Sequence, residues 1–246
     1  MSSSQRSKFK RKLKYKVHHE GRAYIISLLF LFLLLNWMSW HFIEIDWVSM
    51  IVSAITIILF LITINFYRSP KRINAHSEDS RIIVAPADGK LVTVEEVYEA
   101  EILKAPALKV SIFMSITNVH VNWPAVNGEV LHVSHTEGNF LRAFLPKSST
   151  ENERSAVVIR TLDGHKVLER QIAGAIARRI VTYFKEGDMV TVNHHLGFIK
   201  FGSRIDLYLP LNTKILLPIG SKVTGNTTIL GELPVSSSPI DHTESL

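Results

Sequence analysis

Arg81-Ile82-Ile83-Val84-Ala85-Pro86-Ala87-Asp88-Gly89-Lys90-Leu91-Val92-Thr93-Val94-Glu95-Glu96-Val97 reads as two β-strands around a tight turn. Ile82–Val84 and Lys90–Val97 are rich in β-branched residues, while Pro86, Asp88 and Gly89 between them are turn formers. The same pattern runs on toward the C-terminus. Ala107–Met114, Val119–Trp123, Gly128–Val133, Ala156–Thr161, Val167–Ile172, Met189–Val192, Phe198–Phe201, Ile205–Leu209 and Lys214–Leu217 are short β-rich runs separated by Gly, Pro, Asn and Asp. Only Gly174–Lys185, with Ala175, Ile176, Ile180, Tyr183 and Phe184, reads as a helix, ending at Gly187. Residues 81–233 are therefore expected to form a mainly β, α+β domain, as two packed sheets or an irregular barrel. Residues 234–246, rich in Ser with Pro234 and Pro239, read as a disordered tail.

Toward the N-terminus the character changes twice. Residues 67–80 form a polar linker without periodicity, with a domain boundary near residue 73. Before it lie two apolar runs, 23–43 and 45–66, each long enough to cross roughly 30 Å of hydrocarbon as a helix. His41, Glu44 and Asp46, the histidine and the two acidic residues between Ala23 and Phe66, cluster at the join, and Trp37, Trp40 and Trp47 flank it. Amphipathic rings favour the headgroup layer, so the reading is a transmembrane helical hairpin. A secretory signal does not fit, because Asn36-Trp37-Met38-Ser39-Trp40 is too bulky for a cleavage site. The Asn and Ser/Thr residues in both runs leave an interfacial pair as the alternative to spanning. Basic residues at both open ends orient both termini toward the cytoplasm, which predicts a cell-membrane protein with its β domain on that side.

The formal charge of +6 over 246 residues is unevenly placed. Residues 1–22 carry eight basic side chains against Glu20, a net +7, and residues 23–72 add +1. Residues 73–246 hold 17 basic and 19 acidic side chains, a net −2. A folded domain without a basic excess argues against a nucleic-acid partner, because phosphate neutralisation drives that binding. The absence of cysteine excludes disulfides, thiolate zinc sites and a Cys nucleophile.

No glycine-rich nucleotide loop is present. His132-x-x-His135 and His194-His195 lack metalloprotease spacing, so no metal is expected. Three segments are more specific in combination than singly. Pro86-Ala87-Asp88-Gly89 alone is an ordinary turn, His120 in Met114-Ser115-Ile116-Thr117-Asn118-Val119-His120-Val121-Asn122 alone is a buried structural histidine, and Gly202-Ser203 alone is a strand bulge.

Together, with Asn152-Glu153-Arg154, Gln171-Ile172-Ala173-Gly174, Phe198-Ile199-Lys200-Phe201-Gly202-Ser203 and Gly225-Asn226-Thr227-Thr228-Ile229, they make residues 80–233 resemble the phosphatidylserine decarboxylase proenzyme family in its short form. The resemblance implies self-cleavage between Gly202 and Ser203, giving chains 1–202 and 203–246, with Ser203 converted to a covalent pyruvoyl cofactor. That group would accept the amine of a membrane phosphatidylserine and act as the electron sink for loss of carbon dioxide, yielding phosphatidylethanolamine. Serine needs a base. The matching positions make His120 the base on Ser203 and Asp88 the carboxylate that fixes the imidazole. The long form carries two histidines near this segment; here His120 serves both maturation and the later protonation, or His195 supplies the second function. Arg204 departs from the usual Thr or Ser and is read as affecting maturation or headgroup contacts. Candidates by charge for the lipid phosphate are Arg142, Lys147, Arg154, Arg178 and Arg179. A homo-oligomer is compatible with the sequence. The competing readings are the same chemistry on an archaetidylserine-type lipid, and a non-catalytic membrane-anchored β interaction module.

Overall fold

A computed structural model of the chain describes residues 15–75, 79–138, 152–174, 179–200 and 203–235. It divides into two compact units, Met1–Lys71 and Arg72–Leu246. The basic tail up to Lys14, the C-terminal tail beyond Val235, and Arg142, Lys147, Arg178 and Gly202 lie outside the described residues.

In the first unit, α1 (His19–Phe42) and α2 (Asp46–Phe66) form a hairpin, and β1 (Tyr15–Val17) pairs antiparallel with β2 (Arg68–Pro70) at its open end. Both helices are long and apolar enough to cross a membrane. α1 starts four residues before the apolar run because His18 caps it, its Nδ1 accepting from the Glu20 amide. Gly21 is required there: a Cβ would stand 2.2 Å from the Tyr67 ring. The polar residues that made an interfacial pair conceivable are spent between the helices. Asn36 Nδ2 donates to Thr56 Oγ1 at 2.9 Å, Ser53 Oγ to Asn36 Oδ1 at 2.6 Å, and Ser39 Oγ to Ser49 Oγ at 2.9 Å. In an apolar medium each such bond is worth about 1 kcal/mol, and the ladder fixes the register of the two helices.

The second unit is built almost wholly of antiparallel strands. Its main sheet has eight: β4 (Gly89–Glu99), β5 (Ala105–Met114), β7 (Gly128–Thr136), β8 (Arg154–Arg160), β9 (Lys166–Ala173), β11 (Met189–Val190), β13 (Ser203–Leu209) and β15 (Lys222–Val223). Their order is β11-β7-β8-β9-β13-β5-β4-β15. Register shifts between Leu91 and Thr93 in β4 and between Val130 and His132 in β7 bend the sheet, which curls into a half-barrel. Two small sheets complete the unit: β10 (Ile180–Thr182), β12 (Gly197–Ile199) and β6 (Val121–Asn122) in the order β10-β12-β6, and β14 (Lys214–Ile215), β16 (Ile229–Glu232) and β3 (Ile82–Val84) in the order β14-β16-β3.

The expected mainly β architecture with an N-terminal helical hairpin is what the structure shows, apart from one element. The helix expected over Gly174–Lys185 does not form at its C-terminal half, where Ile180–Thr182 pairs with Gly197–Ile199. Three consecutive β-branched residues prefer this extended ladder to a helical turn. Gly187, expected as the helix cap, instead takes φ +87° in a turn where the Asp188 amide donates to the Lys185 carbonyl.

Strand β13 lies at the centre of the main sheet and is buried along its whole length. Side chains alternate across a strand. Ile205, Leu207 and Leu209 enter the main core with Val110, Ile112, Val157, Ile159 and Val167, while Tyr208 joins Ala156, Val158 and Leu168 in a second cluster. Charges accompany Tyr208: Arg204 pairs with Asp206 at 2.9 Å, and Arg170 with Glu99 at 2.8 Å. Arg204, whose role the sequence left open, is therefore committed to a buried ion pair in alternation with Ser203.

Candidate active site

The site grows from one end of the main sheet. Ser203, the first residue of β13, pairs with Ala173 at the end of β9 and Met114 at the end of β5. In β4, Lys90 pairs with Phe113, so Gly89 and Asp88 come to the same end. Adjacent strands lie about 4.8 Å apart, which puts Ser203 roughly 10 Å from the Asp88–Gly89 turn. Residues some 115 positions apart in sequence thus share one edge of one sheet because three neighbouring strands begin or end there.

Ser203 is fully buried, and its Oγ donates to Met114 Sδ at 3.2 Å. A thioether is a weak acceptor, so this contact holds the hydroxyl without activating it. The same sulfur receives Asn122 Nδ2 at 3.8 Å. Behind it the polar chain continues: Gln171 Nε2 donates to Asn122 Oδ1 at 2.8 Å, and Thr182 Oγ1 to Gln171 Oε1 at 2.9 Å. Asn122 and Gln171 fall within the quoted motifs, yet nothing in the sequence singled them out as a pair.

His120 reaches this end through a turn closed by the Ser115 amide donating to Asn118 Oδ1 at 2.8 Å and the Asn118 amide to the Ser115 carbonyl at 2.9 Å. The Ile199 amide then donates to the His120 carbonyl at 3.3 Å, setting the histidine beside the end of β12, four residues before Ser203. The imidazole is buried, with Nδ1 3.0 Å from the Asn118 carbonyl. A carbonyl only accepts, so Nδ1 carries a proton, and in the neutral imidazole Nε2 keeps the lone pair. The tautomer that a base requires is thereby set by Asn118.

Asp88 is held differently. Its Oδ1 accepts from Arg72 Nη1 at 2.5 Å and from the Gly225 amide at 2.8 Å, and its Oδ2 accepts from Arg72 Nη2 at 2.9 Å. No hydrogen bond between Asp88 and His120 is among the described contacts. The Arg72 guanidinium lies 5.0 Å above the Trp123 ring, and His195 meets Trp123 edge to face at 5.6 Å. His195 thus packs against Trp123, the ring that also carries Arg72. A Cβ on Gly225 would stand 2.7 Å from Trp123, so only glycine lets this loop reach Asp88. Arg72 had no sequence signal beyond its membership of a basic stretch.

Of the remaining candidates, Arg154 pairs with Glu101 at 3.0 Å and Arg179 is exposed. His132 pairs with Glu186 at 3.1 Å and His135 with Glu153 at 3.4 Å, on separate partners.

Glu169 was not foreseen. It is fully buried, its Oε1 accepts from the Ala125 amide at 2.5 Å, and its Oε2 meets no donor among the described residues. Burial pushes its carboxyl up to about 8, against which the Ala125 bond works only weakly. The unfolded group titrates near 4.5, so the folded chain holds a proton that the unfolded chain lacks between those values. Stability from this group is complete below 4.5 and is lost as pH rises toward 8, at about 1.4 kcal/mol per pH unit. Glu169→Gln, neutral at every pH, should flatten that decline in denaturant unfolding measured from pH 5 to 8; an unchanged slope would show that Glu169 ionises normally.

The phosphatidylserine decarboxylase family model matches residues 59–231. The phosphatidylserine decarboxylase proenzyme of Porphyromonas gingivalis is 52% identical over 219 residues, 89% of this chain and 99% of that protein. Those of Parabacteroides distasonis and Syntrophus aciditrophicus are 50% identical over 218 residues and 40% over 215, covering 89% and 87% of this chain and 99% and 96% of theirs. With a match that runs from the last two turns of α2 into β16 and takes in every strand of the site, the chain belongs to the phosphatidylserine decarboxylase family.

Proposed function

We propose that this chain is a membrane-anchored decarboxylase, made as a proenzyme, that cleaves itself between Gly202 and Ser203 and then converts phosphatidylserine to phosphatidylethanolamine. The observation that carries this reading is the placement of Ser203, buried at a sheet end that also receives His120 and the Asp88 turn. In the maturation step His120 Nε2 takes the proton from Ser203 Oγ as that oxygen attacks the Gly202 carbonyl. The peptide bond to the Ser203 nitrogen breaks and an ester to Oγ replaces it. Loss of the Ser203 α-proton expels the Gly202 carboxylate, and water replaces the nitrogen, released as ammonia. Chains 1–202 and 203–246 result and stay associated through the strand pairs that flank β13.

The residues present fit a pyruvoyl group at position 203. The position is buried, and the polar chain through Asn122 and Gln171 is already hydrogen-bonded internally, so a ketone there would be kept from bulk water. Such a group supplies an electron sink for the carboxylate's electrons when carbon dioxide leaves. His120 returns a proton to the substrate carbon in the same site, and Asp88, whose charge Arg72 balances, contributes as a fixed acceptor at the same sheet end. The hairpin keeps the domain at the leaflet whose lipid it modifies. By the positive-inside rule, the basic residues at both open ends favour tail and domain on the cytoplasmic side, with the tail attracting anionic lipid by about 1 kcal/mol per cation near the surface.

Mass measurement of the membrane-purified protein tests the reading directly. Two chains divided at residue 202/203 are expected, the smaller with a blocked N-terminus. One intact chain, or a free serine on the smaller fragment, would overturn it.

A further inference from the structure

We infer that Arg72 is a positioning residue of the active site, fixing the Asp88 carboxylate at the sheet end that holds Ser203. This rests on the proposed roles of Ser203, His120 and Asp88, and adds to them a residue from a segment that reads as linker.

A carboxylate offers about four acceptor positions. Asp88 has three of them filled: two on Oδ1, by Arg72 Nη1 and the Gly225 amide, and one on Oδ2, by Arg72 Nη2. The position left is on Oδ2, and its direction is set by the other three bonds. Without them the group would turn freely, since the terminal torsion of an aspartate is broad. Arg72 supplies two of the three bonds, in the bidentate geometry that only a guanidinium provides.

Arg72 is itself held on several sides. Nη1 also donates to the Gly225 carbonyl at 2.8 Å, and the guanidinium lies over Trp123. The Arg72 carbonyl accepts from Asn226 Nδ2 at 3.3 Å, and that nitrogen also donates to Asn193 Oδ1 at 3.1 Å. Asn193 Oδ1 accepts the Asn74 amide at 2.7 Å as well. Residues 72–74 are thus knitted to the turn before Gly197 and to the Gly225–Asn226 loop, whose Gly225 amide also bonds Asp88. A guanidinium with its side chain only 15% exposed and this many fixed contacts is suited to aiming a carboxylate.

The test uses the full chain in detergent or nanodiscs, following the rate of self-cleavage. Arg72→Ala is expected to slow cleavage about ten- to hundredfold, the scale of a lost charge-assisted pair. Guanidinium chloride at tens of millimolar should restore much of that rate by filling the vacated place, whereas equal urea or sodium chloride should not. Rescue by guanidinium alone is an outcome that loss of fold stability would not give. If Arg72→Ala does not accumulate, Arg72→Lys serves, keeping the charge without the two-pronged contact, and should be slowed at least about fivefold. Wild-type cleavage rates in the variant measured, or slow cleavage that guanidinium does not change in a folded Arg72→Ala protein, would overturn the inference. A wild-type chain that never divides at residue 202/203 would instead overturn the underlying function, so the two failures are distinguishable.

Discussion

Ser203→Ala is expected to give a protein that remains one chain of 246 residues and has no decarboxylase activity. The substitution removes one oxygen atom from a fully buried position whose only described side-chain hydrogen bond is the weak one to Met114 Sδ. The fold should tolerate that, because alanine fits the same strand pairs with Met114 and Ala173 and leaves the flanking ladder untouched. Chemistry should not survive. Alanine has no nucleophile for the Gly202 carbonyl and no leaving group for the elimination, so neither the cleavage nor the covalent group can form. Removing a reacting group of this kind typically costs six orders of magnitude or so, and activity at or below about 10⁻⁴ of wild type is the expected reading. The measurement is a gel and a mass for cleavage, and release of carbon dioxide from carboxyl-labelled phosphatidylserine for turnover. Cleaved Ser203→Ala protein, or an uncleaved one with substantial turnover, would remove Ser203 from the reaction.

The legibility of the molecule from its sequence followed the range of the interactions involved. Local patterns were readable: apolar runs gave α1 and α2, and alternation with turn residues gave most strands, because these depend on neighbours within a few positions. Ile180–Thr182 was misread because its neighbours Ala175, Ile176, Tyr183 and Phe184 supply a helical spacing, and only pairing with β12 outweighs it. The short strands β15 and β16 carry too few residues for any periodicity. At the site, Ser203, His120 and Asp88 stood out by motif. Arg72 did not, because what distinguishes it from Lys71 is a partner 16 positions away and a loop 153 positions away. Glu169 was hidden for the same reason, being a carboxylate inside a strand whose burial is decided by the sheet packed around it.

His120 should prove the next most sensitive position. Its Nδ1 proton is committed to the Asn118 carbonyl, which leaves Nε2 as the nitrogen able to take the Ser203 proton. General-base assistance of this kind contributes about 10²–10⁴ in rate. His120→Ala is therefore expected to slow self-cleavage by that factor, but it also opens a cavity in a buried turn, so loss of cleavage alone would not identify the base. His120→Asn separates the two effects. An asparagine amide can still donate to the Asn118 carbonyl and hold the turn, while offering no basic nitrogen at neutral pH. If His120 acts as the base, His120→Asn should match His120→Ala in cleavage rate and stay near wild type in thermal stability. If the imidazole only supports the turn, His120→Asn should cleave close to the wild-type rate, and the base would have to be sought elsewhere, beginning with His195 beside Trp123.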